Sequence, residues 1–180
     1  MKKNVCVFCA SSNEMDESYY KAAAQLGKWL ALNGLTLVCG GASCGLMEAL
    51  AKSCHENGGK VIGIVPQILV DCERVSRYLD EIIVTPDMHE RKRRLIDHAD
   101  VLVAMPGSVG TLDEVFTVLS SNTIGIHEKS VIIWNVNHFW DSLFAMISDI
   151  DGKGVSRKPM DEIIHRADTF EDLTNMILEG

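Results

Sequence analysis

Short, continuous apolar runs alternate along this chain with segments whose apolar residues recur at helical spacing. That alternation limits the fold more than any other feature. The apolar runs cover residues 5–9, 35–39, 60–65, 81–84, 101–105 and 131–134. Helical spacing fills the gaps. Ala23, Leu26 and Leu30 share one face of a helix over 18–33, with Gly34 as its stop. Leu112, Val115, Phe116 and Leu119 mark a later helix, Phe139, Leu143, Met146, Ile147 and Ile150 another, and Phe170, Leu173 and Ile177 a last one. Strands that are apolar throughout, rather than alternating, are covered on both faces, which is the habit of a parallel sheet. Right-handed crossovers then give an α/β fold: a doubly wound, Rossmann-like parallel sheet with helices on both faces. The 180 residues, 47% of them apolar, fit a single nucleotide-binding domain over 1–180. Residues 67–78 carry no regular signal and read as a mobile loop.

Two glycine-rich turns follow apolar runs directly. The first is Gly40-Gly41-Ala42-Ser43-Cys44-Gly45 and the second Pro106-Gly107-Ser108-Val109-Gly110-Thr111. In a doubly wound sheet, ligands bind beyond the carboxyl ends of the strands, where both turns fall. Glycine there permits positive φ and close approach of a ligand to the backbone. The helix that follows presents free N–H groups and the positive end of its dipole, which suits a phosphate. Neither turn is a dinucleotide fingerprint or a P-loop: the first has the spacing G-G-x-x-x-G, and no Lys-Ser/Thr follows Gly45. The pair points to a nucleotide monophosphate.

The second turn leads into Thr111-Leu112-Asp113-Glu114. This fits a capping box, with Thr111 as N-cap and Glu114 at the third helical position. The alternative use of Glu114 is as an ionised carboxylate on the crevice floor, stabilising a developing cation or positioning a water. A third segment, Met88-His89-Glu90-Arg91-Lys92-Arg93-Arg94, opens a helix after Thr85-Pro86-Asp87, read as an N-cap followed by proline at the first helical position. Cations near a helix start oppose the dipole, so Arg91 and Lys92 invite a phosphate or carboxylate partner. Arg91 and Arg94 share a helix face.

A net charge of −8 argues against a nucleic-acid backbone as partner. No stretch reaches the length of a membrane span. The start, Met1-Lys2-Lys3-Asn4-Val5, has a signal-like pair of lysines, but its apolar run is short and reads better as a first strand. Six cysteines, four of them in or beside apolar segments, fit a reduced cytoplasmic protein. Cys6 and Cys9 form C-x-x-C, yet on a strand they point to opposite faces, which favours packing over metal or redox work. The six histidines show no metal spacing, so neither a metal nor a cofactor is expected.

Taken together, these segments resemble the Lonely Guy (LOG) family, cytokinin riboside 5′-monophosphate phosphoribohydrolases long mislabelled as lysine decarboxylases. The family's P-G-G-x-G-T-x-x-E corresponds to Pro106–Glu114, its M-H-E-R-K to Met88–Lys92 and its G-G-x-x-x-G-L-M to Gly40–Met47. Phe8-Cys9-Ala10-Ser11-Ser12 and Gly125-Ile126-His127 resemble two further elements. The resemblance implies hydrolysis of the N-glycosidic bond of AMP-like nucleotides, with Arg91 and Glu114 as the catalytic pair. It implies substrate contacts from Ser12, Gly40, Gly41, Met88, Lys92, Gly107, Ser108, Gly110 and Thr111, and a homodimer. Two departures stand out. Ser108 replaces a glycine, which would cost about 1 kcal/mol or more if the site needs positive φ; its hydroxyl can also donate to a phosphate. The tryptophan usual before G-I-H is absent from residues 119–123. A non-catalytic nucleotide-binding or carrier module of the same fold is the competing reading. A lysine decarboxylase would need pyridoxal phosphate on a lysine.

Overall fold

The computed structural model describes residues 3–180; Met1 and Lys2 of the N-terminal run lie outside the described residues. The strands are β1 (Asn4–Phe8), β2 (Thr36–Cys39), β3 (Lys60–Pro66), β4 (Glu81–Thr85), β5 (Val101–Ala104), β6 (Val131–Trp134) and β7 (Ile164–Ala167). The helices are α1 (Glu17–Leu32), α2 (Gly45–Glu56), α3 (Gln67–Asp71), α4 (Met88–His98), α5 (Val109–Thr123), α6 (Asp141–Gly152) and α7 (Phe170–Glu179). All strands pair in parallel, in the order β4-β3-β2-β1-β5-β6-β7. The chain winds outward from β1 to β4, then crosses back to the other side of β1 at β5. The fold is therefore the doubly wound α/β arrangement, Rossmann-like, and its winding reverses between β1 and β5.

Two cores cover the two faces. Leu26 and Leu30 of α1, Leu46 and Leu50 of α2 and Leu173 and Ile177 of α7 close one face over Val5, Val7 and Leu37. Leu95 of α4, Val115 and Val118 of α5 and Leu143 and Ile147 of α6 close the other over Cys6, Phe8 and Leu102. Each such side chain contributes about 1.5–3 kcal/mol by leaving water. Cys6 and Cys9 fall on opposite faces, and all six cysteines are free thiols. Burial pushes the Cys39 thiol up to about 11 and that of Cys54 to about 12, so both pack as apolar groups. No helix among the described residues is long and apolar enough to cross a membrane.

Three expectations change. Residues 67–78 are not a free loop: they form α3 and then lie against the first glycine turn. There Ser43 N donates to the Arg74 carbonyl, Ser76 N to the Gly41 carbonyl, and Ala42 bridges Val75. Those bonds are backbone to backbone, so side-chain periodicity carries no trace of them. The seventh strand, β7, is additional, its apolar pattern broken by His165 and Arg166 at the sheet edge. On α5, Phe116 is 38% exposed, and Val118 takes the inward place assigned to it.

Candidate active site

Among the described residues, Arg91 is the buried Lys or Arg. Its helix starts two residues later than the sequence pattern indicates. Thr85 is not the N-cap, because the β3–β4 ladder holds it, paired with Pro66. Asp87 is the N-cap, accepting from His89 N at 2.8 Å and Glu90 N at 2.9 Å. This puts Arg91 at the fourth helical position, facing inward, where it is 6% exposed. Its Nε donates to the Ile64 carbonyl at 3.2 Å and its Nη1 donates to Glu114 Oε1 at 2.8 Å. Arg94 does not join it. That side chain is exposed and donates to Glu90.

Glu114 is 7% exposed. The capping box is overturned: α5 begins at Val109 with Ser108 as N-cap, so Thr111 and Glu114 stand at the third and sixth helical positions. The glycine turn itself makes the first turn of the helix, which the T-x-x-E spacing hides. Glu114 therefore does no capping and points into the interior against Arg91. Burial raises its carboxyl above the usual range, while the Arg91 charge and hydrogen bond pull it back down. A buried ion pair offsets little of its own desolvation cost, so its presence is poorly explained by stability. A carboxylate with a shifted pKa beside a fixed cation is a common mark of a reactive site.

The first glycine turn touches this pair, and the second opens the helix that carries Glu114. A Cβ at Gly40 would collide with Arg91 Nη2, so Gly40 makes the room that the guanidinium occupies. Gly41 has φ +72, and a Cβ on it would lie 2.6 Å from Val65 Cγ2. On the second turn, Gly107 is buried against Thr111, which is 3% exposed. Ser108, Val109 and Gly110 are exposed, and Ser108 makes no capping bond. The first N–H groups of α5 thus lack a side-chain cap, the condition under which a helix start accepts an anion. Ser108 sits at φ −108, ordinary backbone, so the strain expected of serine there does not arise.

The remaining sequence candidates are placed as follows. Ser12 is exposed in the loop after β1, its carbonyl accepting from the Tyr20 hydroxyl at 3.0 Å. Met88 is 45% exposed at the first position of α4. Lys92 Nζ donates to Asp113 Oδ1 at 2.8 Å, one residue along from the buried pair on each helix. Asp113, Asp87 and Met47 were not singled out from sequence. Met47 Sδ accepts from Ala42 N, and Met47 fills the space beside Gly40. Asp87 had a local signal, since a residue just after proline can cap a helix; the pairing of Asp113 across two helices had none. A separate hollow lies elsewhere: an apolar groove of about 450 Å³ between α5 and α6, lined by Phe116, Leu119, Ile147 and Ile150. Its one charged lining residue is Asp113, and it offers no pair of reactive groups. The chemistry marks the Arg91–Glu114 crevice instead.

Comparison with known proteins adds to this geometry. A family model described as possible lysine decarboxylase matches residues 47–177. The cytokinin riboside 5′-monophosphate phosphoribohydrolase LOG3 of Arabidopsis thaliana is 36% identical over 177 residues, covering 98% of this chain and 82% of that protein. A probable cytokinin riboside 5′-monophosphate phosphoribohydrolase, LOGL5 of Oryza sativa, is 39% identical over 171 residues, covering 95% and 70%. Among solved structures, the molybdenum cofactor binding protein of Rippkaea orientalis superposes with a TM-score of 0.76 at 26% identity, covering 99% of this chain and 97% of that one. The molybdenum cofactor carrier protein of Chlamydomonas reinhardtii shares the fold, with a TM-score of 0.76 at 23% identity over the full length of both chains.

Proposed function

The chain belongs to the LOG family, and from that premise we propose that it hydrolyses the N-glycosidic bond of AMP or an N6-modified AMP. Water adds across the bond between ribose and base. The hydroxyl goes to the anomeric carbon and the proton to the base, which leaves as free adenine or its N6-modified form beside ribose 5-phosphate. Breaking that bond builds oxocarbenium character on the ribose, which a fixed carboxylate stabilises. Glu114 is that carboxylate and also orients the attacking water. Arg91 fixes Glu114 and the sugar. The exposed amides at Ser108–Gly110 and the start of α5 take the 5′-phosphate, with Gly107 and Thr111 shaping the turn. Ser12, Gly40, Gly41 and Met88 complete the crevice around the nucleotide.

The observation that supports this reading most is the buried Arg91–Glu114 contact at 2.8 Å, with Gly40 of the first glycine turn against Arg91. The names of the relatives point the same way. The test is to mix the protein with AMP and with adenosine and to follow free adenine. AMP should be cleaved and adenosine much more slowly, because binding energy comes from the phosphate. Equal rates would remove the phosphate site. We further read the protein as a cytoplasmic homodimer acting on a small nucleotide, without nucleic acid or membrane; a monomer by light scattering at micromolar concentration would remove the dimer.

The likeness to the Rippkaea orientalis protein at 26% identity favours a second reading, a carrier that binds a nucleotide-like ligand without cleaving it. Binding of AMP with no release of adenine would establish that reading. Pyridoxal phosphate chemistry does not fit these residues. The lysine beside the pair is Lys92, and its amine is taken by Asp113.

A further inference from the structure

Two ion pairs join α4 to α5, side by side. Arg91 meets Glu114, and Lys92 meets Asp113, each at 2.8 Å. The inner pair is buried. In the outer pair the Lys92 side chain is 15% exposed and that of Asp113 49%. Surface pairs contribute little to stability, so a half-exposed bridge is poorly explained as a tie between helices. Its place beside the reactive carboxylate supplies a different use.

We propose that Lys92 and Asp113 are positioning residues for the reaction, acting through Glu114: the bridge, set beside the buried pair, balances the charge that the Glu114 carboxylate experiences. The inference rests on the proposed role of Glu114 as an ionised carboxylate. Other charged or titratable groups facing Glu114 are few. Arg91 reaches it from α4, and the buried thiols of Cys6 and Cys9 on β1 and Cys39 on β2 lie within range of its field. Those thiols are pushed up by burial and stay neutral, so they contribute no charge. Apart from Arg91, the bridge therefore supplies the charge around Glu114. Its two members act in opposite directions, with Lys92 favouring the carboxylate and Asp113 opposing it.

That opposition makes the test. Lys92→Met leaves Asp113 uncompensated, so Glu114 should ionise at higher pH. Asp113→Asn leaves Lys92 uncompensated, so Glu114 should ionise at lower pH. The shifts should be on the order of half a pH unit. The Lys92→Met/Asp113→Asn double variant should return the titration, and the acid limb of AMP hydrolysis with it, toward wild type. The direct reading is a carbon-13 NMR titration of labelled glutamate carboxyls, with the Glu114 signal assigned by its loss in Glu114→Gln. This needs no turnover, so absence of AMP hydrolysis in the wild type would count against the proposed function and leave the titration readable. In parallel, the acid limb of the AMP hydrolysis profile should follow the same opposite shifts. Shifts of one sign in both single variants, or none in either, would overturn the inference and leave the bridge as a helix tie.

Discussion

The two glycine turns look alike in sequence and differ in structure. The first is closed. Gly40 and Gly41 are buried, Gly45 stands at φ +65 with a would-be Cβ 2.6 Å from the Ser11 carbonyl carbon, and residues 74–76 lie across the turn through backbone bonds. The second is open. Pro106, Gly107 and Thr111 are packed, while Gly110 has no atom within 4 Å of a would-be Cβ and Ser108–Gly110 face solvent. One turn is a wall that makes room for Arg91, and the other is a mouth whose backbone is available to a ligand. Glycine serves close packing in the first, and in the second Gly110 leaves the backbone open to solvent.

The largest effect should come from the wall. Gly40→Ala puts a methyl where the Arg91 guanidinium lies, so Arg91 must leave Glu114. AMP hydrolysis should fall by about a hundredfold or more, the scale of misplacing a catalytic group, and the melting temperature should drop. Full activity in that variant would break the distinction between the turns.

The next effect is in pH dependence, and its sign differs between activity and stability. Burial raises the Glu114 carboxyl in the folded protein. In the proposed reaction the ionised form does the chemistry, so kcat/KM should be lost as pH falls through that raised value, at a higher pH than for an ordinary glutamate. The folded state holds this proton more tightly than the unfolded chain. Its contribution to stability is therefore full at pH below the unfolded value and lost as pH rises through the folded one. Melting curves against pH should show that fall in the wild type and a flatter course in Glu114→Gln.

The mouth should answer more gently. Gly110→Ala adds a methyl in open space on a helix, which should raise stability by about 0.5–1 kcal/mol. If the phosphate sits there, KM for AMP should rise while the slow cleavage of adenosine stays unchanged. An unchanged KM would move the phosphate away from the second turn. The smallest effect belongs to Ser108→Ala. Without a capping bond to lose, stability should change by no more than about 0.5 kcal/mol in a melting experiment.

The sheet was legible because six of its strands contain continuous apolar runs, and such runs carry their own signal. The strand β7 was not, since an edge strand tolerates His165 and Arg166 facing outward. Arg91 and Glu114 were legible as types in motifs. Their burial was not, because it depends on where two helices begin, and in both cases local chemistry misled. The sequence pattern makes Thr85 a cap although a neighbouring strand claims it, and makes Thr111 a cap although the glycine turn is already helical. Correcting both starts turns the inward faces of α4 and α5 toward each other. The Lys92–Asp113 bridge follows from the same geometry and has no pattern along the chain, because its members lie 21 residues apart.

The central claim is that the buried carboxylate of Glu114 performs chemistry rather than helix architecture. Glu114→Gln keeps the size of the side chain and an oxygen to accept from Arg91, and removes the charge. Turnover of AMP to adenine by the folded variant tests the claim directly. The account predicts that the variant still binds AMP and that kcat falls by about a hundredfold or more, as when one electrostatic stabiliser is lost. Wild-type turnover in that variant would contradict it and leave a nucleotide carrier as the better description.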